Sequence, residues 1–199
     1  MGVLLVGIPA AIRAVVSART AAARLFEVLD AAPGVRDPAV PAPVPDGPLG
    51  LQVRGLVVVL PGADRPALAG LDLDLPAGRR VAVVGASGAG KSTLVDVLLR
   101  LREPTEGRVL LGGTDVRELG QEDVRRAVSC CRQDPWLFAR NLLLVTHRLS
   151  GLDAVDEVVV LDRGRVVQRG TASELRQAPG PYRDLERAER EADALLTTG

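Results

Sequence analysis

Lysine is almost absent from this 199-residue chain: among its 25 cationic residues only Lys91 is lysine, and the others are arginine. Aromatic side chains amount to 2%, with one Trp, one Tyr and two Phe. A core without rings must be assembled from Val, Leu and Ala, and the 47% apolar content is ample for one. Net charge is absent too. Basic and acidic residues balance at 25 each, which argues against a nucleic-acid binder that works by neutralising phosphates. Cysteine occurs twice, as Cys130 and Cys131, adjacent in a strand-like run. Neighbours in a strand point to opposite faces, so a bridge between them would be strained. They read as reduced and structural, in keeping with a cytosolic compartment. With one histidine and no cysteine pair at ligand spacing, a metal site of that kind is not indicated. Long apolar runs are also missing. Residues 2–16 are apolar apart from interruptions at Pro9 and Arg13, whereas a bilayer crossing needs about 20 such residues. The run lacks the basic start and cleavage site of a signal peptide.

What is present divides the chain into three stretches. Residues 12–29 read as an amphipathic helix carrying Arg13, Arg19 and Arg24. Residues 31–48 hold six prolines, a composition that predicts an extended, semi-rigid linker and not a packed element. From residue 49 the pattern is α/β. Strands are expected at 51–60, 69–75, 80–84, 107–111, 127–131 and 142–145, with a hairpin at 157–168 turning over Asp162, Arg163 and Gly164. Helices are expected at 92–102, stopping before Pro104, and at 122–126. Thr171-Ala172-Ser173-Glu174 is a capping box that opens a third helix, and residues 181–196 form a last, charge-laced helix read as solvated surface.

The lone lysine stands inside Gly85-Ala86-Ser87-Gly88-Ala89-Gly90-Lys91-Ser92-Thr93, a complete G-x-x-x-x-G-K-[ST] phosphate loop. Its glycines let backbone N–H groups turn inward around an anion, and the following helix adds its positive end. Lys91 would place a compact point charge on the β- and γ-phosphates, and the Ser92 hydroxyl would ligate Mg²⁺. Gly-x4-Gly alone is common in a chain with 21 glycines. Gly-Lys-Ser directly between a buried strand and a helix is not.

The surrounding residues resemble the ATP-binding cassette domain of ABC exporters, over about residues 49–185. Leu73-Asp74-Leu75-Pro76-Ala77-Gly78 is similar to the family's entry into the phosphate-loop strand, and Glu106-Gly107-Arg108-Val109-Leu110-Leu111-Gly112-Gly113 to its second hairpin. Gln133-Asp134-Pro135-Trp136-Leu137-Phe138 resembles the Q-loop, which implies that Gln133 touches Mg²⁺ or the attacking water. Val145-Thr146-His147-Arg148 resembles the H-loop, which implies that His147 contacts the γ-phosphate. The position of the family's adenine-stacking aromatic falls at Leu60, where the ring–ring contribution of about 1 kcal/mol would be lost. The motif set and the N-terminal helix are most similar to bacterial heterodimeric exporters of thiol reductants needed for cytochrome bd assembly. The resemblance implies ATP and Mg²⁺ as ligands. It implies a second ABC subunit, forming a heterodimer, and a transmembrane domain as partners, with no nucleic acid. The expected location is the cytoplasmic face of a bacterial cell membrane, peripheral or anchored through the N-terminal helix. Residues 1–30 become a helical remnant of the transmembrane domain, 31–48 the linker and 49–199 the cassette.

The chain departs from the family between its two far landmarks. Gln133 and His147 are 14 positions apart. The helical subdomain, LSGGQ signature, Walker B strand and D-loop belong in that interval and do not fit. Leu149-Ser150-Gly151-Leu152 imitates half a signature but follows His147. Val158-Val159-Val160-Leu161-Asp162 imitates Walker B, with Arg163 in place of the glutamate. The expected fold is therefore an α/β phosphate-loop NTPase with a mostly parallel central sheet and an antiparallel β-subdomain, lacking the helical subdomain and Walker B strand. The central sheet should show a gap, an exposed edge or a rearrangement beside strand 142–145, because Asp134–Arg140 is short for a parallel crossover. The motifs leave three functional readings. The chain is an ATP-binding exporter subunit poor at hydrolysis, a non-catalytic partner of a transporter half, or a deleted product with no function of its own. A different phosphate-loop enzyme, such as a small-molecule kinase, leaves Gln133, His147 and the 106–113 hairpin unexplained.

Overall fold

In the computed structural model, the residues described are 34–128, 130–131, 142–146, 148–149 and 151–197. The chain divides into two compact units, Met1–Gly34 and Val35–Gly199. All the described strands and helices belong to the second. The expected amphipathic helix at 12–29 lies outside the described residues.

Two sheets organise this second unit. The antiparallel sheet has the order β2-β1-β4-β5, with β1 Leu51–Val58, β2 Leu68–Leu75, β4 Glu106–Leu111 and β5 Thr114–Asp115. Its first strand alternates buried Leu51, Val53, Leu56 and Val58 with more exposed residues, the signature of a sheet wet on one side. The central sheet has the order β6-β7-β3-β8-β9, with β3 Arg80–Val84, β6 Cys130–Cys131, β7 Leu142–Val145, β8 Glu157–Asp162 and β9 Arg165–Gly170. β3 runs parallel to both β7 and β8, β6 runs parallel to β7, and only β9 is antiparallel. The mostly parallel sheet and antiparallel subdomain expected from the sequence are both present.

β3 is apolar throughout Val81–Val84 because both of its faces are covered. Val81 and Val83 join one core with β1, β2, β4 and the helix α1, Lys91–Leu98. Ala82 and Val84 join a second core with Leu144, Val158, Val160 and the helix α3, Ala172–Gln177. One strand thus seals two layers by its period-2 alternation. The capping box at Thr171 is made in full: Thr171 Oγ1 accepts from Glu174 N–H at 3.2 Å, and Glu174 Oε2 accepts from Thr171 N–H at 2.8 Å. The last helix, α4 (Pro181–Thr197), differs from the solvated surface expected. Tyr182 is fully buried in the second core and Leu185 packs against it.

β6 and β7 are direct parallel neighbours, pairing Cys130 with Leu143 and Cys131 with Leu144. No gap opens between them. The two-residue β6 lies on the edge of the sheet.

The proline-rich stretch forms no helix or strand of its own, but residues 35–44 are fastened to the domain at several points. Val35 is buried, Ala42 donates its N–H to Glu118 O at 2.8 Å, and Ala42 and Val44 touch the first core. The anchor is Arg100, the only buried charged residue among those described. Its guanidinium donates to Arg36 O at 2.9 Å, to the Asp37 carboxylate at 3.3 Å and to Leu119 O. Asp37 also accepts the N–H of Gln121, at 2.9 Å, at the start of helix α2, Gln121–Ala127. Arg100 sits at the left-handed turn ending α1, with φ 51°. There Arg100 N–H bonds Val97 O and Leu101 N–H bonds Asp96 O, the paired bonds of a Schellman motif. Glycine usually fills that position.

Arg100→Gly suits the backbone while deleting the guanidinium, so it isolates the side chain. It is expected to destabilise the domain by about 1–3 kcal/mol, because the buried Leu119 carbonyl loses its donor. Urea denaturation measures this, and the variant should also be cut faster by protease between residues 35 and 45.

Candidate nucleotide site

The phosphate loop leaves β3 at Gly85 and enters α1 at Lys91. Its path needs glycine for steric reasons that the structure makes specific. A Cβ on Gly85 would lie 2.3 Å from Leu161 O and 3.1 Å from Ala89 Cβ. A Cβ on Gly90, whose φ is 104°, would lie 2.5 Å from Ala67 O. Gly88 faces open space, and Ala86, Ser87 and Gly88 are exposed. The loop is braced from outside by the β8–β9 turn: Gly164 N–H bonds Ala89 O at 2.9 Å, and Gly164 O accepts from Ala69 N–H at 3.0 Å. Nothing in the sequence singles out Gly164 or Ala67 for this role. The one signal is the Asp162-Arg163-Gly164 turn, which reads as a hairpin with no hint of what it supports.

The donors fit an anion. The first intrahelical bond of α1 runs from Leu94 N–H to Gly90 O at 2.9 Å, so the N–H groups of Lys91, Ser92 and Thr93 have no helical partner. No side chain caps this end and no acidic residue stands in its first turn. Both would compete with a phosphate. Lys91 reaches back across the loop and donates to Gly85 O at 2.6 Å and Ala86 O at 2.9 Å. Burial holds its ammonium below the usual lysine range. The Ser92 side chain is exposed on the first turn, open to a cation.

The other sequence candidates fall as follows. Gly85 to Thr93 are brought together as one loop and helix start. Leu60 is half-buried and packs against the first core beside β1. Gln133 and His147 lie outside the described residues, but Thr146, just before His147, bonds Val83 O at 3.2 Å through its N–H. Asp162 ends β8 in a hairpin with Arg163, and that exposed pair, 3.5 Å apart, contributes little.

The family model described as ABC transporter matches residues 68–194. The chain therefore belongs to the ABC transporter family and carries its ATP-binding domain. Among curated relatives, it is 41% identical over 96 residues to the Colicin V secretion/processing ATP-binding protein CvaB of Escherichia coli, covering 48% of this chain and 14% of that protein. It is 38% identical over 141 residues to the Beta-(1-->2)glucan export ATP-binding/permease protein NdvA of Nitrobacter winogradskyi, covering 70% of this chain and 23% of that protein. A solved structure of a bacterial Atm1-family ABC exporter with ATP bound aligns over 84% of this chain and 47% of that one, with TM-score 0.71 and 22% identity. That likeness concerns the fold. The chain spans less than a quarter of the length of these two curated relatives.

Two outcomes are expected. Gly164→Ala would push a methyl to 2.5 Å from Ala67 O at a φ of 74°. It should cost about 1–3 kcal/mol and weaken nucleotide binding, although it lies far along the chain from Lys91; denaturation and calorimetric titration read both. The second concerns pH. A bound triphosphate favours the charged ammonium, so Lys91 is more acidic free than bound. Nucleotide affinity should then fall as pH rises through the lowered Lys91 value, while Lys91→Met binds weakly and shows no such fall. Titration across the alkaline range checks it.

Proposed function

We propose that this chain is a nucleotide-holding, slowly hydrolysing cassette of an ABC exporter. The observation that supports it most is the loop from Gly85 to Thr93, with unpaired helix-start donors and an inward lysine, in a chain of this family. In this reading ATP lies with its phosphates on the N–H groups of residues 86–93, Lys91 turns from the carbonyls of Gly85 and Ala86 to the β- and γ-phosphates, and Ser92 holds Mg²⁺. When bound, Mg²⁺ neutralises phosphate charge. Gln133 and His147 would complete the far wall, and Leu60 would flank the base.

The slow step is a matter of sequence. Between Gln133 and His147 there is no Asp-Glu pair to supply a Walker B acid and a general base. Loss of a general base lowers rates by about 10²–10⁴. A chain with no LSGGQ signature also cannot close over ATP held by a second cassette, so its contribution would be limited to holding nucleotide at its own phosphate loop. The proposed assembly is a heterodimer with a second ABC subunit and a transmembrane domain at the cytoplasmic face of a bacterial membrane. The proposed cargo is a thiol reductant, a reading supported by the motif set and the apolar–arginine pattern of residues 12–29.

Calorimetric titration with Mg-ATP is expected to show one site that Lys91→Ala abolishes. Phosphate release should stay near background. Release at ordinary cassette rates that disappears in Lys91→Ala would overturn the slow-hydrolysis reading.

A further inference from the structure

The chain is fastened on either side of position 147, at Thr146 and at Leu149, and one fastening comes from the last helix. Thr146 N–H is bonded to Val83 O at 3.2 Å, two residues before Gly85. Arg148 N–H is taken by the Thr146 hydroxyl at 2.9 Å. Leu149, which is buried, gives its N–H to neither strand nor helix. Both carboxylate oxygens of Glu189 accept it, at 3.2 and 3.0 Å, from 40 positions along the chain. A buried backbone N–H must find an acceptor. An ionised acceptor makes this bond stronger than a neutral one would.

Glu189 stands on a supported element. Its helix, α4, begins with Tyr182 buried in the second core and with Tyr182 N–H bonded to Gln168 Oε1 at 3.1 Å. Arg176 of α3 grips the Asp153 carboxylate with two 2.8 Å bonds and reaches Glu186 of α4 at 3.4 Å, and Arg190 pairs with the same Glu186 at 3.1 Å. Glu189 is thus the tip of a braced arm, and the tip touches the chain two residues after His147.

We propose that Glu189 is a positioning residue for γ-phosphate recognition: by holding Leu149 N–H it fixes the backbone two positions beyond His147 in the sequence. The inference rests on the phosphate-site reading above. Helix α4 then belongs to the nucleotide site, not only to the surface. A glutamine at 189 keeps one amide oxygen to accept the same N–H, whereas an alanine leaves it unmet.

The test is binding of Mg-ATP and Mg-ADP by calorimetry to the full chain and to Glu189→Ala, Glu189→Gln, Glu186→Ala, His147→Ala and Lys91→Ala. The wild type should prefer ATP. Glu189→Ala should lose about tenfold in ATP affinity with ADP affinity unchanged. Glu189→Gln should recover most of it, and adding His147→Ala to Glu189→Ala should cost little more. Glu186→Ala removes one brace of α4 but leaves the Glu189 carboxylate to meet Leu149, so it should weaken the preference less than Glu189→Ala does. Equal loss for both nucleotides, the same effect from Glu186→Ala, or an unchanged preference in Glu189→Ala would each overturn the proposal and leave Glu189 a helix anchor. Binding that ignores Lys91→Ala overturns the phosphate-site reading, and this inference with it.

Discussion

Backbone lies directly on backbone where the two sheets meet, and the site depends on that contact. Ala67 O, at the entry to β2, fills the space that a Cβ would need on Gly90 and also the space it would need on Gly164. Leu161 O does the same for Gly85. Two carbonyls thus exclude every residue but glycine from three positions. The result is a loop with little room to move, because its shape is enforced by the antiparallel sheet on one side and by the β8–β9 turn on the other. An anion site made of N–H dipoles gains its strength from such prior ordering, since nothing needs rearranging when charge arrives.

The same economy of contact explains Arg100. A left-handed helix end favours glycine, yet an arginine occupies it and bears the strain. Its guanidinium gathers carbonyls from residues 36 and 119 and the carboxylate of Asp37, and so ties three separate stretches of chain together. A long planar donor with several N–H groups suits that task, and a lysine would serve it poorly. In a chain that uses lysine once, the division of labour is visible: arginine for forked, buried or surface pairing, lysine for the carbonyls of the Gly85–Thr93 loop.

Much of the fold was legible because its signals are local. The apolar run at 81–84, the alternation through 51–58, the capping box at 171–174 and the Gly-Lys-Ser junction each need only a few neighbouring residues to interpret. The errors came from partners distant in sequence. Proline content marks residues 35–44 as extended, and nothing nearby says that Arg100 will bind them down. The charges of α4 suggest water, yet Tyr182 is buried and Glu189 serves Leu149. The brace at Gly164 was invisible for the same reason, since a tight turn looks alike whether it faces solvent or another backbone. The sheet edge was a matter of counting: few residues separate β6 from β7, and the two strands pair directly.

The order of the central sheet also governs when the site can exist. β3 pairs only with β7 and β8, which come some sixty to eighty residues later in the chain, and contacts so distant form late. During synthesis from the N-terminus, Gly85 to Thr93 would leave the ribosome long before Leu161 and Gly164 are available to shape them. The antiparallel sheet can assemble meanwhile from strands nearer to one another. For much of its early life this chain would carry the letters of a phosphate loop without the walls that give the loop its form, and would hold nucleotide only once its C-terminal third has closed around it.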